Sequence, residues 1–511
     1  MKKSIFYLSL FLLIYMVTFS ENLPDYDLWA RFAVGSIFFH TGEVLKHDIF
    51  SYLPTKAMWI DHEWGSGVVF YYLIKYLGEW GIFALKAFII FAIFLLIIRI
   101  IKLQTSQPPG IFYFLFLCFS LLPGIAGLIR CQMFTYLFFT FWLYLLERIR
   151  RGDNKLIWIF PVSMLLWANL HGGFLAGIGL IIIYATGELL NKQKTIKYFG
   201  LLALVIPVTL INPYGIELWN FIIDASFMSR PYIPEWHHIS MSGPFHLFKG
   251  IKIHILAGFF IFTLLTILTG IKLVREKEKY DWTMILLAVV LLYLGVKHQR
   301  HTQFFILAIS GLFYHHFVDL FIPIQGLIKK YLNDKAYEMW KTVRYSFGYI
   351  VLASILIYSV PKLSHSIIVD PQVYPVGSFE FIKQNNISGN LATTYNWGSY
   401  AFWKLYPQCK VLIDGRYEEV YPNDVYDVAM KFSERIGEWQ EVLRKYHTDI
   451  IVLSKRHYSP ADVLALSEWK IVYGDISSVV LLPKTTMQTF YIFPHYNYSA
   501  DSKEDYSKKM Y

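Results

Sequence analysis

Eleven apolar runs recur through the first 360 residues of this chain, and they leave it few folds to choose from. Runs of this kind, with few or no charges, are read as membrane-spanning helices. They fall at residues 4–20, 81–101, 110–127, 133–147, 156–169, 174–190, 198–212, 251–271, 281–296, 304–322 and 345–360. Residues 66–78 (SGVVFYYLIKYLG) read as one further helix lying at the membrane interface. Composition agrees: of 511 residues, 55% are hydrophobic, 18% aromatic and only 16% charged, so an ordinary soluble domain is excluded. The first run follows Lys2 and Lys3 and lacks a small-x-small cleavage site, so it is expected to be a retained helix and not a signal peptide.

The connections between these runs separate by charge. One alternate set is the N-terminus with residues 99–109, 147–155, 191–197, 272–280 and 328–344. It carries 20 Lys and Arg in 56 residues. The other set, 21–66, 128–132, 168–173, 213–250 and 297–303, carries 8 in 102. The positive-inside rule places the first set, and the N-terminus, in the cytoplasm. The net charge of +10 is then a topology signal, and no nucleic-acid partner is expected. By the same rule the acidic loop 21–66 and everything after Pro361 lie outside the cytoplasm, and the expected location is the bacterial inner membrane.

After residue 360 the pattern changes. Short β-rich runs (NLATTY, KVLID, DIIVLS, WKIVYGDISSVVLLP) alternate with helix-like stretches such as VYDVAMKFSERIGEWQEVLRKY. This alternation predicts a small α/β domain. The expected organisation is a transmembrane module over 1–360 with its first extracytoplasmic loop at 21–66, an extracytoplasmic α/β domain over 361–490, and a polar tail over 491–511. The fold class is thus a polytopic α-helical membrane protein of about eleven spans with a C-terminal α/β domain. Cys118, Cys131 and Cys409 form neither a disulfide framework nor a metal-type spacing.

The unusual polar motifs all fall in the outer set of connections. The first loop holds Asp25, Asp27, Asp48, Asp61, His62 and Glu63. The others are Arg130; the WANLHGG run with Trp167, Asn169 and His171; INPYG with Asn212; PEWHH with Glu235, Trp236, His237 and His238; and KHQRHTQ with Lys297, Arg300 and His301. Carboxylates and histidines beside hydrocarbon are costly unless solvated or paired, so they mark a functional site.

Asp25 and Asp27 suit two roles, and also a bland one. A carboxylate in hydrogen-bond reach of a hydroxyl can take its proton. Two carboxylates one residue apart can hold a divalent cation such as Mg or Mn. The bland reading is that they cap a helix starting near Leu28. Asp48 is either a further site carboxylate or the cap of the FSYL turn. The run from Asp61 to Trp64 is either a site or an interfacial anchor. Arg130 and Arg300, the latter beside His301, suit an anionic headgroup, because a guanidinium grips phosphate with two N–H groups. Snorkelling to the interface is the alternative. His171 reads equally as a substrate contact or as a satisfied turn residue. The adjacent His237 and His238 do not suit zinc. In the tail, Asn396, Trp397, Asp414, Arg416 and Glu418 sit at strand ends, where an internal Asp–Arg pair competes with ligand binding.

Taken in order, D-x-D-x-W, HDIFSY, W-x-x-HEW, WANLHGGF, NPYG, EW, R-H-x-x-F, NWGSY and KVLIDGR resemble bacterial multi-pass proteins of the GT-C glycosyltransferase superfamily. That superfamily includes dolichyl-phosphate-mannose protein mannosyltransferases and oligosaccharyltransferase catalytic subunits. The resemblance runs through residues 25–420. It implies an inverting transfer of sugar from a polyprenyl phosphate or diphosphate to an acceptor hydroxyl on a glycan, lipid or protein, with an acidic residue of the first outer loop as base. Asp27 or Asp25 matches that position, with Asp48 as partner. Arg300 and Arg130 match the phosphate-holding role, and His62, Glu63, His171, Glu235, His237 and His301 are the further substrate-binding candidates. The chain departs from the pattern at Trp29-Ala30-Arg31, where a histidine is expected after the tryptophan, and it lacks W-W-D-Y-G. The alternatives are a transporter or lipid flippase, which would place charge at mid-depth in the helices, and a non-catalytic scaffold with a binding domain.

Overall fold

The structure is a computed structural model that describes residues 3–20, 22–105, 109–239, 253–277 and 280–491. The polar tail expected from 491 onward, apart from Tyr491, lies outside them, as do residues 240–250 of the long loop after Asn212. The chain forms two compact units, each gathered from three stretches. Met1–Glu21, Phe83–Ile211 and Met228–His365 make the first; Asn22–Ile82, Asn212–Phe227 and Ser366–Tyr511 make the second. The division therefore does not follow the change of composition at residue 360. The first loop belongs with the α/β domain.

Through residue 359 the helices are α1 Lys3–Ser20, α2 Leu28–Thr41, α3 Trp64–Leu77, α4 Glu79–Gln104, α5 Ile111–Ile125, α6 Gln132–Arg150, α7 Ile159–Leu170, α8 Leu175–Leu190, α9 Ile196–Val208, α10 Glu217–Phe227, α11 Ile253–Glu276, α12 Trp282–Lys297, α13 Thr302–Leu312, α14 Tyr314–Tyr331 and α15 Asp334–Ser359. Every apolar run read from the sequence holds a helix among its described residues. The length and hydropathy of a full span are met by fewer of them. Among the described residues, four helical stretches are long and apolar enough to cross a membrane: Glu79–Gln104, Gly172–Leu190, Leu256–Glu276 and Asp334–Lys362. The run at 304–322 is broken instead of continuous, because α13 and α14 meet at a bend of 65°; as one broken span they make a fifth. Ile111–Ile125 has 15 residues and rises roughly 22 Å, short of a hydrocarbon core of about 30 Å.

Within the first unit, α6, α8 and α12 are tied at one end by ion pairs. Arg150 lies 2.7 Å from Glu188 and 2.7 Å from Asp281, and Asp281 caps α12 through the Thr283 amide. Nearer the middle, Trp142 donates to Ser163 at 2.9 Å and Trp167 to Thr135 at 2.9 Å, so each buried indole N–H has a partner.

The second unit is built on a five-stranded mixed sheet. Its strands are β1 Gly389–Ala392, β2 Cys409–Val411, β3 Ile450–Ser454, β4 Trp469–Gly474 and β5 Ser478–Pro483. Their order is β2-β1-β3-β5-β4, with β2, β1 and β3 parallel and β5 antiparallel to both neighbours. The helices α16 Val376–Gln384, α17 Tyr395–Leu405, α18 Tyr417–Val420 and α19 Asn423–Glu434 belong to the same unit. The first loop extends the sheet: Val411 donates to the Phe50 carbonyl at 2.8 Å, and Tyr52 donates to Val411 at 3.1 Å. Helix α2 packs on α17 through Trp29 and Tyr400 (ring centroids 4.9 Å apart) and through Phe32 and Trp403 (5.8 Å). The expected interfacial helix is α3, and it lies backbone-close to α2. A Cβ on Gly35 would overlap the Gly67 carbonyl, so only glycine permits that approach.

Candidate functional site

In the second unit, the Asp25–Asp27 stretch lies beside the loops that leave the parallel strands, the edge where α/β sheets commonly receive ligands. Asp25 is 3% exposed, and its Oδ1 accepts the Asp27 amide at 3.1 Å. It shapes the turn that starts α2. Asp27 holds the N-cap position, but its side chain makes no capping hydrogen bond, and it is exposed. Its carboxylate lies against Gly415, four residues beyond β2, so tightly that a Cβ there would overlap it. Tyr395, which opens α17 just after β1, and Tyr374 both feel the Asp27 charge; burial raises the pKa of each hydroxyl, the charge adding to it, against a lowering hydrogen bond with Trp29 at Tyr374. Tyr26 is likewise raised by burial and lowered by Arg456, which follows β3. Thus residues beyond all three parallel strands converge on Tyr26 and Asp27.

Asp48 is committed elsewhere. Its Oδ1 lies 2.6 Å from Arg416 Nη1, and its Oδ2 accepts the Ser51 amide at 2.7 Å. Arg416 grips Asp414 with Nε and Nη2, both at 2.7 Å, and its guanidinium lies 4.5 Å from the Trp59 ring centre. Of the two readings of Asp48, this is the turn cap, strengthened by an ion pair. Asp414 and Arg416 likewise form the internal pair that competed with ligand binding.

A second buried network surrounds Arg31, the residue that stands where the resemblance expected histidine. Arg31 pairs with Asp61, with Glu63 at 3.7 Å and with Glu419 at 3.9 Å. Glu419 also accepts from Trp59 Nε1 at 2.7 Å and pairs with His62 at 2.8 Å. Burial disfavours the His62 imidazolium, yet the Glu419, Glu63 and Glu418 carboxylates outweigh it and lift its pKa to about 9. The run from Asp61 to Glu63 therefore binds the first loop to α18. Glu419, buried and central, was not among the residues singled out from the sequence.

The first unit holds the other constellation. Arg130 Nη1 lies 2.8 Å from Glu235 Oε2, and Arg300 Nη1 lies 3.3 Å from Glu235 Oε1. Two guanidiniums thus converge on one carboxylate. Burial opposes its ionisation, but Arg300 and Arg130 outweigh burial and hold its pKa down to about 2. Trp236 backs the pair, with Arg300 4.4 Å and Arg230 4.0 Å from its ring centre. His298 bonds the Trp236 carbonyl at 2.7 Å, and the His301 ring lies 5.9 Å from Trp236. Gln132 accepts from Arg300 at 3.2 Å. One turn beyond Arg300, the amide of Gln303 is 3% exposed and makes no hydrogen bond among the described residues. It presses on Gly124, where a Cβ would come within 2.5 Å of it. Lys86, fully buried in α4, donates to the Gly127 carbonyl at 3.3 Å on the same turn. Neither Gln303 nor Lys86 stood out in sequence.

The remaining candidates are local. His171 Nδ1 accepts the Gly173 amide at 2.8 Å and bonds Thr135 at 3.0 Å, which is the satisfied-turn alternative. His237 is exposed and bonds the Pro231 carbonyl at 3.0 Å. Asn169 bonds the Leu165 and Ile211 carbonyls, and Asn212 accepts the Tyr214 amide. Asn396 and Trp397 lie in the first turn of α17, where Trp397 donates to the Val373 carbonyl at 2.9 Å. Of the pair offered to a divalent cation, Asp25 spends Oδ1 on the Asp27 amide, and Asp27 lies exposed beside it. Among the described residues, no three His, Cys, Asp or Glu side chains group as metal ligands.

The chain shares its fold, a helical membrane-type module with an α/β domain, with two solved proteins. An oligosaccharyltransferase from Archaeoglobus fulgidus superposes with a TM-score of 0.59 at 10% identity, covering 88% of this chain and 70% of that one. ArnT from Cupriavidus metallidurans, solved bound to undecaprenyl phosphate, superposes with a TM-score of 0.52 at 13% identity, covering 94% and 97%. The archaeal protein AglB has also been solved with an inhibitory peptide and a dolichol-phosphate. At these identities the likeness shows the fold. No protein-family model and no curated protein sequence matches the chain.

Proposed function

We propose that this protein is a membrane glycosyltransferase of GT-C type that moves a sugar from a polyprenyl-phosphate lipid to an acceptor hydroxyl on the extracytoplasmic side, with inversion. Asp27 accepts the proton of the acceptor hydroxyl as its oxygen attacks the anomeric carbon. The bond from that carbon to the phosphate oxygen breaks, its electron pair stays on the phosphate, and the lipid leaves as a phosphomonoester. Arg300 and Arg130 stabilise the charge that develops there. The observation that carries the reading is the convergence of these two guanidiniums on one carboxylate, with the unspent Gln303 amide one turn away. Such a fork suits a phosphate. Lipid phosphates in the ArnT and AglB structures support a ligand of this chemistry.

Between the two acids the reading prefers Asp27, because Asp25 is buried and holds backbone whereas Asp27 is exposed and caps nothing. Asp48 serves the fold through Arg416, and the reading routes no step through a cation. The test is transfer from polyprenyl-phosphate sugars, followed by mass spectrometry of the lipid product. Asp27→Asn should lower turnover by roughly 10²–10⁴-fold, the usual worth of a general base, with unchanged folding. Full transfer by that variant would remove Asp27 from the chemistry.

A further inference from the structure

Glu235 is a third charge in a site that the proposed reaction needs only to be positive. It sits between Arg130 and Arg300 at 2.8 and 3.3 Å, and it stays ionised throughout the physiological range. Resting on the phosphate-site reading above, we propose that Glu235 is a specificity-determining residue that reduces this site's preference for doubly charged phosphates over singly charged phosphodiesters.

The argument is one of charge counting. A sugar joined to a lipid through one phosphate is a phosphodiester and carries one negative charge. The lipid phosphate left after transfer is a monoester, whose second ionisation falls near pH 6, so it carries nearly two. A sugar joined through a diphosphate also carries two. Every negative charge brought to the two guanidiniums meets the fixed carboxylate, so each added charge carries a like-charge cost in a site partly removed from water. Arginines alone would hold the product much more tightly than the donor, and the product would block the site. With Glu235 in place, the charge that transfer creates gains less from the site, and the product is held less tightly. Trp236, the next residue, is held by Arg300, Arg230 and His298, which anchors the backbone from which Glu235 projects.

The test uses the full chain in nanodiscs and two lipids that differ by one charge, undecaprenyl phosphate and its methyl ester. At pH 8 the wild type should bind undecaprenyl phosphate no more than a few-fold more tightly than the methyl ester, and at pH 5, where the monoester carries one charge, the two should bind alike. Glu235→Gln should raise affinity for undecaprenyl phosphate by about tenfold or more relative to the methyl ester. Glu235→Asp, which keeps the charge, should behave as the wild type and guards against a folding defect in the glutamine variant. If Arg300→Gln loses both lipids while Glu235→Gln changes both by one factor, the phosphate site stands and the proposal falls. If neither lipid binds the wild type or any variant, both fall.

Discussion

The guanidinium of Arg416 lies 2.6 Å from the carboxylate of Asp48, 368 positions earlier in the chain. The same guanidinium holds Asp414 with two further hydrogen bonds, and all three side chains are almost wholly removed from solvent. Removing one partner from a buried pair leaves an uncompensated charge. Arg416→Leu should therefore lower unfolding stability by about 3–5 kcal/mol. Asp48→Asn, which leaves Arg416 its pair with Asp414, should cost clearly less. Thermal unfolding in detergent reads both, and equal melting of Arg416→Leu and the wild type would show that the pair does not hold the loop.

Gly415 offers a test of Asp27 that does not touch the carboxylate. A Cβ there overlaps it, so Gly415→Ala must move Asp27 or the turn after β2. Misplacing a reacting group by about 1 Å can cost roughly 100-fold. Turnover should fall by that order while lipid affinity, measured separately, stays level. Undiminished turnover would mean that Asp27 is not held in place by the α/β domain.

His62 gives the second unit a pH dependence with a defined sign. Its folded pKa, about 9, lies above the ordinary value of 6.5, so the folded chain binds the proton more tightly than the unfolded chain. The resulting stability is fully present below pH 6.5 and is lost as pH rises through 9. The loss amounts to at most about 3 kcal/mol. Melting followed between pH 6 and 10 should show this decline, and His62→Gln should flatten it. An unchanged slope in the variant would assign the titration to other groups.

Gln303 should show a trade between stability and binding. A buried amide without partners costs stability, so Gln303→Leu should leave the melting temperature level or raise it. Binding of undecaprenyl phosphate should weaken by about tenfold, the worth of one charge-assisted hydrogen bond. A variant that melts lower and binds as before would make the amide structural.

How much of this was legible follows from the range of the forces involved. Hydropathy acts locally, so each of the eleven apolar runs could be found, and so could the β-rich runs that became β1 to β5. No proline marks the bend between α13 and α14, and the Ser310-Gly311 and His315-His316 pairs that flank it are short enough interruptions that the run at 304–322 read as one helix. Apart from Asp414 with Arg416, the ion pairs were legible only as halves. HDIFSY and KVLIDGR each displayed an unexplained charge, but nothing near Asp48 in sequence names Arg416 as its partner. Arg31 appeared as a departure from a pattern because the acids that require it, Asp61 and Glu419, arrive 30 and 388 residues later. Glu419 itself gave no signal, since the second of the two glutamates in YEEV reads as a solvated helix residue beside Glu418. The choice between Asp25 and Asp27 needed burial and hydrogen bonds, which a two-residue spacing does not encode.

The edge that Phe50 to Tyr52 adds to β2 also sets an order of events in the life of the chain. A ribosome working at 5–20 residues per second needs roughly 20 to 70 s to travel from Asp48 to Arg416. Throughout that interval the first loop exists without the sheet edge and the arginine that complete it. The surroundings of Asp27 come into being only when the last quarter of the protein has been made. A prematurely ended chain therefore carries the loop but not the surroundings that the rest of the chain builds around Asp27.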